Sequence, residues 1–111
     1  MRSSALVSRL EDPRHALLES GREDHYALVE FAKGQASWGP ALHELLDLGL
    51  VELLAKPDWQ SGDEELAELS SREAHEAIDD PVSWDPDVRG RVVVFTATPE
   101  GERAYREGRF R

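Results

Sequence analysis

The stretch ALHELLDLGLVELLAK, residues 41–56, decides the fold because it places a helix, a stop and a strand in succession. Leucines recur along its first half at spacings of three and four, as on a helix with one buried face: Leu42, Leu45 and Leu46. Gly49 then occupies the position where a left-handed residue ends a helix, which places Leu50 against Leu45. Residues 51–55 alternate with a period of two and predict a strand.

Two earlier helices and a turn lead into this stretch. Asp12 followed by Pro13 predicts a helix start, because aspartate can cap the free amides and proline needs no partner in the first turn. This helix is expected over residues 13–20, and a weaker one over residues 4–11. REDHYALVEFAKG, residues 22–34, has acids at its beginning and a lysine and a glycine at its end, and it predicts a further helix.

The turn GQASWGP, residues 34–40, separates that helix from the one expected over residues 40–48. Helix, glycine turn and helix in this order predict a helix-turn-helix.

Residues 56–90 form a long connection with three basic and eleven acidic side chains. Because an unstructured loop of this length is unusual in a compact domain, we expect a helix at residues 63–78. The run RVVVFTA, residues 91–97, has the strongest β propensity in the chain and is expected to pair antiparallel with residues 51–55.

A last helix is expected from Thr98 to about residue 107. Threonine is a good N-terminal cap, and Pro99 fits the first helical position. Gly101 in the first turn is a weak helix former, which indicates that another element approaches closely there.

Composition bounds the class of protein. At 111 residues the chain is expected to form one domain, residues 1–111, with one hydrophobic core. The absence of cysteine excludes disulfides, thiolate metal ligands and a cysteine nucleophile. No apolar run approaches the roughly 20 residues of a membrane span, and the first residues lack a signal-peptide pattern, so we expect a cytoplasmic location.

The formal net charge of −10 is concentrated in the middle of the chain. Residues 41–90 hold three basic and fourteen acidic side chains, or −11, against −1 for residues 1–40 and +2 for residues 91–111. Such a field favours basic partners and discourages contact with phosphate backbones. The alternative is that the charge serves solubility alone.

Two motifs carry a family resemblance. LHELLDLGLVELL at residues 42–54 and FTATPEGERAY at residues 95–105 resemble the recognition-helix end and the junction of wing and last helix in MarR-like and PadR-like winged-helix regulators. The resemblance implies an α+β winged helix-turn-helix, with a two-stranded antiparallel wing and an acidic insertion at about residues 56–90. It also implies a DNA-binding dimer with the helix at residues 40–48 in the major groove.

The chain departs from this pattern where DNA would be read. The residues expected to point outward from the recognition helix are His43, Glu44 and Asp47, without a neighbouring arginine or lysine. A basic edge that could favour DNA contains Arg89, Arg91, Arg103 and Arg106. The alternative for the arginines of the last helix is that they offset its dipole.

Three tryptophans sit beside turns: Trp38, Trp59 and Trp84. Tryptophan is enriched in interface hot spots, and the alternative is that these residues cover the core beneath the insertion.

Other chemistry has less support. His75 and Asp79 have helical spacing, but a closed metal site generally needs about four ligands, so we expect no metal and no cofactor.

No catalytic motif or phosphate-binding loop occurs, and we expect a protein that is not an enzyme. The prediction is therefore a regulatory winged-helix domain that binds a basic protein partner through Trp38, His43, Glu44, Asp47, Trp59 and Trp84. The alternative is a dimeric DNA-binding transcriptional regulator that uses the arginines named above.

Overall fold

A computed structural model describes residues 12–31, 34–87 and 90–111. The helix expected at residues 4–11 lies outside the described residues, and so does Arg89.

The described residues form an α+β fold with four α-helices and a four-stranded antiparallel sheet. The helices are α1 Pro13–Glu23, α2 Gly34–Asp47, α3 Ser71–Asp79 and α4 Pro99–Arg106. The strands are β1 Tyr26–Ala27, β2 Val51–Lys56, β3 Ala67–Glu68 and β4 Val92–Ala97, in the order β1-β4-β2-β3. Short 3-10 turns occur at Leu28–Glu30, Asp63–Glu65 and Pro81–Trp84. The predicted two-stranded wing is thus part of a larger sheet, in which β2 and β4 form the central pair.

The predicted helix starts are confirmed by their caps. The Asp12 carboxylate accepts a hydrogen bond from the Arg14 backbone N–H at 2.9 Å, and Pro13 begins α1. The Thr98 hydroxyl accepts from the Gly101 N–H at 3.0 Å at the start of α4. Each cap satisfies an amide that has no partner inside its helix.

The stop at Gly49 is also confirmed. Gly49 has φ of 74°, its N–H donates to the Leu46 carbonyl at 3.1 Å, and the Leu50 N–H donates to the Leu45 carbonyl at 2.9 Å. These two bonds form a Schellman motif, which reverses the chain at the end of α2 and brings Leu50 into the core beside Leu45. The turn then delivers the chain directly into β2.

The expected antiparallel pairing of the two central strands is confirmed. β2 and β4 pair antiparallel over six residues, from Val51 opposite Ala97 to Lys56 opposite Val92. Along β2, buried and half-buried residues alternate, as the period of two predicted.

The helix predicted at residues 22–34 is wrong. Tyr26 and Ala27 instead pair with Phe95 and Val94 of β4, and the chain continues into the 3-10 turn Leu28–Glu30. The acids and the lysine that indicate helix ends act locally, whereas β4 offers a free edge and a buried position for Leu28. Tertiary pairing therefore overrides the local helix signal.

The predicted turn of the helix-turn-helix, at residues 34–40, is also corrected. Residues 34–40, predicted as a turn, form the first part of α2, which runs from Gly34 to Asp47 with Pro40 inside it. Gly21, predicted to end α1, lies within it instead, since α1 continues to Glu23. An added Cβ at Gly21 would lie 2.9 Å from a Phe95 ring atom, so this glycine permits close packing of helix and sheet.

The predicted helix at residues 63–78 is partly confirmed. Its second half is α3, capped by Ser70, while its first half is the 3-10 turn Asp63–Glu65 followed by β3. The edge of β2 is paired by β3, and the Leu69 N–H donates to the Leu53 carbonyl at 2.9 Å. The insertion therefore has structure of its own, fixed on the sheet at one end and on α2 at the other.

One main core lies between the helices and one face of the sheet. Its largest fully buried side chains come from α1, α2, α3, β2, β4 and the first 3-10 turn: Leu17, Leu18, Leu28, Leu42, Leu45, Leu53, Ile78, Val93 and Phe95. A smaller cluster of Ala27, Val92 and Val94 lies on the opposite face of the sheet. Ile78 joins the main cluster, so α3 is packed as part of the domain.

Candidate functional site

The outer side of α2 is the first part of the candidate site. Glu44 and Asp47 are exposed, as expected from the helix spacing. Pro40, also exposed, lies one turn before Glu44 on the same side of the helix. The sequence of α2 contains no lysine or arginine. The exposed stripe of this helix is therefore acidic.

Glu44 is paired by an arginine, contrary to the sequence prediction. Arg14 of α1 donates from Nη1 to the Glu44 carboxylate at 2.6 Å and from Nη2 to the Asp12 carboxylate at 2.6 Å. The same guanidinium lies 4.4 Å from the centre of the Phe110 ring. Local sequence could not reveal this pair because Arg14 and Glu44 are 30 residues apart and meet only when α1 packs on α2.

This network shifts the protonation of Asp12. The hydrogen bond from the Arg14 side chain holds the pKa of the Asp12 carboxyl below its usual range, and the same pairing raises the pKa of Arg14. A carboxyl whose pKa is lowered on folding stabilises the folded state above its ordinary pKa, and this contribution is lost as pH falls through the folded value.

We therefore expect Asp12→Asn to weaken the acid dependence of stability. Asparagine still caps the helix but cannot form the ion pair. Between pH 6 and pH 3 the free energy of unfolding of the variant should therefore fall by about 0.5–1 kcal/mol less than that of the wild type. Urea denaturation across this range measures the difference. Glu19→Gln, on the exposed side of α1, is the matched control and should keep the wild-type slope. Equal slopes for the wild type and Asp12→Asn would contradict the assignment.

Four side chains connect α2 to α3, and we call them the histidine bridge: His43, Asp47, His75 and Asp79. The Nδ1 atoms of the two histidines lie 2.5 Å apart, and the two ring planes are within 10° of parallel with centroids 4.8 Å apart. Nε2 of His43 contacts the Asp79 carboxylate at 2.8 Å, and Nε2 of His75 contacts the Asp47 carboxylate at 2.9 Å.

The sequence contained a signal for this bridge that the prediction used only in part. The spacing His-x-x-x-Asp occurs twice, at residues 43 and 47 and again at residues 75 and 79. The expectation from the sequence concerns the second pair alone, as an isolated metal site. Among the described residues, no group of three His, Asp or Glu side chains has the geometry to hold a metal ion.

α3 lies along the side of α2, and the histidine bridge is not its only attachment. The Gln35 side chain donates to the Ile78 carbonyl at 3.2 Å, and the Trp84 indole donates to the same carbonyl at 2.9 Å. Gly39 of α2 faces Ile78, since an added Cβ would lie 3.6 Å from a methyl carbon of its side chain. One side of α2 is thus covered by a second helix.

The three tryptophans have different environments. Trp84 is 7% exposed and belongs to the main core, and half-buried Trp38 packs on Phe31 with ring centroids 5.2 Å apart. Both therefore help to cover the core, the alternative that the sequence left open, and Trp84 has little surface to offer a partner. Trp59 is 53% exposed and remains available to a partner.

Trp59 stands in a strongly acidic part of the surface. All eleven aspartates and glutamates of residues 56–90 are exposed. A cleft of about 660 Å³ beside Trp59 is lined by Pro57, Asp58, Gln60, Pro86, Asp87 and Gly90. We call the eleven acids together with Trp59 the acidic surface.

Three of the basic residues predicted for the DNA-binding alternative lie on the surface. Arg91 is exposed just before β4, and Arg103 and Arg106 are exposed in the last turn of α4. α4 packs mainly on α1 and β4.

The sequence matches no protein-family model, and comparisons with curated proteins and with solved structures find no significant match. In the described part of the chain, no helix has the length and apolar character that crossing a membrane requires.

Proposed function

We propose that this chain is a winged-helix domain that binds a basic protein partner through its acidic surface and has a regulatory role. The winged-helix assignment is supported by the order of elements around the central strand pair. α2 ends in a tight turn that leads into β2, an insertion separates β2 from β4, and β4 leads into the capped helix α4. Since α2 is a single long helix, the recognition element is α2 alone.

The position of α3 carries the preference for a protein partner. The major groove of DNA is about 12 Å wide and admits one helix, whose diameter with side chains is about 10–12 Å. α3 lies against α2 and places Asp79 beside His43, so a duplex approaching α2 would meet a second helix with carboxylates on it. The exposed stripe of α2 also offers no lysine or arginine to contact phosphate, and its Glu44 and Asp47 are already paired with Arg14 and His75.

Charge and exposure support the acidic surface as the binding region. Lys56 is turned into the insertion, where its ammonium donates to the Ser61 carbonyl at 3.0 Å, and Arg72 pairs with Glu76. The eleven exposed acids therefore outnumber the basic groups near them and create a negative field that steers cationic groups. Trp59 adds an exposed aromatic ring, the residue type most enriched at the energetic centre of interfaces.

The second candidate function is a dimeric DNA-binding transcriptional regulator. The exposure of Arg91, Arg103 and Arg106 favours it, because local charge governs phosphate contact more than net charge does. In this alternative the arginines rather than α2 would supply the affinity.

Charge reversal tests the two candidates together. We expect the double substitution Glu64→Lys and Glu65→Lys to weaken binding of a fluorescent poly-arginine peptide at least tenfold at low salt, because it reverses two adjacent exposed charges of the acidic surface. The matched control is Glu19→Lys with Glu107→Lys, two exposed acids of α1 and the end of α4, which changes net charge equally. Fluorescence anisotropy measures peptide binding by both double variants and by the wild type. The same measurement with a random-sequence DNA duplex tests the DNA alternative.

The outcomes separate the candidates. If only the variant with Glu64→Lys and Glu65→Lys loses affinity for the peptide, the result supports a local acidic surface. Equal losses of affinity in this variant and in the control would show a general charge effect and contradict the proposal. Duplex binding that is tighter than peptide binding, falls steeply with salt and is lost in Arg103→Ala with Arg106→Ala would establish the DNA alternative.

A further inference from the structure

The hydrogen bonds of the histidine bridge set the number of protons that it holds. Each Nε2 faces a carboxylate, which can only accept, so each Nε2 must carry a proton. The two Nδ1 atoms face each other, and a hydrogen bond between them needs one proton on one of them. The two rings together therefore hold three protons, which makes one ring a cation and leaves the other neutral.

The distance between the two Nδ1 atoms indicates a proton rather than a metal ion between them. A zinc ion binds imidazole nitrogen at about 2.0–2.1 Å, so two nitrogens on one tetrahedral ion lie roughly 3.3 Å apart. The separation of 2.5 Å between His43 and His75 is shorter than this and leaves room for a shared hydrogen alone.

We propose that His43 and His75 share a single proton and form a pH-sensitive latch, which holds α3 against α2 when the pair carries one positive charge. Loss of this proton removes one of the three hydrogen bonds or brings two lone pairs together. Addition of a further proton places two N–H groups face to face and two like charges in contact. The latch is therefore weakened on both sides of its optimum pH.

Other charged groups around the pair do not replace this proton. On α2 the nearby acids are Asp47, inside the bridge, and Glu44, which is paired with Arg14 of α1. On α3 they are Asp79, inside the bridge, Glu76, which is paired with Arg72, and Glu73, which accepts a hydrogen bond from the Ser70 backbone N–H. β2 and the Pro81–Trp84 turn also pack on α3, and the residues that they bury in the main core carry no charge: Val51, Leu53 and Trp84.

The direction of the pH dependence follows from proton linkage. There is one pH at which two histidines released from the bridge hold one extra proton between them, the number that the docked pair holds. Above it docking takes up a proton and weakens as pH rises, and below it docking releases a proton and weakens as pH falls. The docking equilibrium changes by up to about tenfold per pH unit on either side.

Hydrogen exchange of the whole chain between pH 5 and pH 8.5 tests the latch. Protection factors, which remove the intrinsic pH dependence of exchange, should pass through a maximum within this range for the α3 amides of Ala74, Ala77 and Ile78. They should fall several-fold towards both ends of the range. Amides of Val93 and Phe95, in the central strand pair, serve as the internal reference. His75→Gln should flatten the profile of α3, whereas His25→Gln, at an exposed histidine outside the bridge, should preserve it.

Nitrogen-15 spectra of the histidine rings give a second readout that needs no variant. At the pH of maximal protection we expect both Nε2 atoms to be protonated and one proton to be shared by the two Nδ1 atoms, with a low-field proton resonance. Independent titration of the two rings, or α3 protection that does not vary with pH, would overturn the proposal. It would also be overturned if EDTA abolished the protection, because the bridging cation would then be a metal ion.

Discussion

Gly101→Ala is expected to destabilise the domain by about 3 kcal/mol, although alanine is the better helix former. Gly101 lies buried in the first turn of α4, against the backbone of Leu50. An added Cβ would lie 2.9 Å from the Leu50 carbonyl carbon and closer still to its oxygen, so backbone would have to move. That oxygen also accepts from the Thr98 N–H at 3.0 Å, which ties the start of α4 to the turn after α2.

A second glycine provides the matched control for this prediction. Gly39 lies buried within α2, but an added Cβ there meets Ile78 at 3.6 Å, an ordinary contact. Gly39→Ala should therefore be neutral or stabilise the domain by up to about 1 kcal/mol through helix propensity. Urea denaturation of both variants measures the difference. Similar stabilities for the two would show that the contact between Gly101 and Leu50 is not tight.

Trp84→Ala is expected to cost about 3–5 kcal/mol, the usual loss for a large aromatic residue removed from a core. The side chain is 7% exposed, and its indole N–H donates to the Ile78 carbonyl. The substitution opens a cavity beneath the insertion and removes a bond that anchors the end of α3. Thermal unfolding by circular dichroism, with urea denaturation, measures the cost.

Trp59→Ala is the companion variant, because Trp59 is 53% exposed. Its stability should remain within about 0.5 kcal/mol of the wild type. Under the proposed function it should nevertheless lose affinity for a protein partner, since Trp59 is the exposed aromatic residue of the acidic surface. A large stability loss for Trp59→Ala together with none for Trp84→Ala would reverse the roles assigned to the two tryptophans.

The features predicted correctly from the sequence are those specified by a few neighbouring residues. Asp12 with Pro13, and Thr98 with Pro99, marked helix starts because a cap and a first-turn proline act within one turn. Gly49 marked the end of α2 for a similarly local reason.

The candidate site was less predictable because its partners are distant in sequence. Exposure of Glu44 followed from helix spacing, but its pairing with Arg14 depends on α1 packing against α2. The histidine bridge joins residues 32 positions apart, and half of it comes from the insertion. The spacing His-x-x-x-Asp was visible twice, yet only the packing of α3 on α2 brings the two copies together.

The sequence by itself determined the strand pair β2 and β4, the starts of α1 and α4, the end of α2 and the acidity of the insertion. Only the tertiary structure decided that residues 26–27 join the sheet, that α2 begins at Gly34, and that α3 covers the side of α2. Propensity and capping are short-range effects and can be read along the chain. Strand pairing and burial depend on partners brought from elsewhere in the chain, and for residues 26–31 their combined contribution outweighed the local preference for helix.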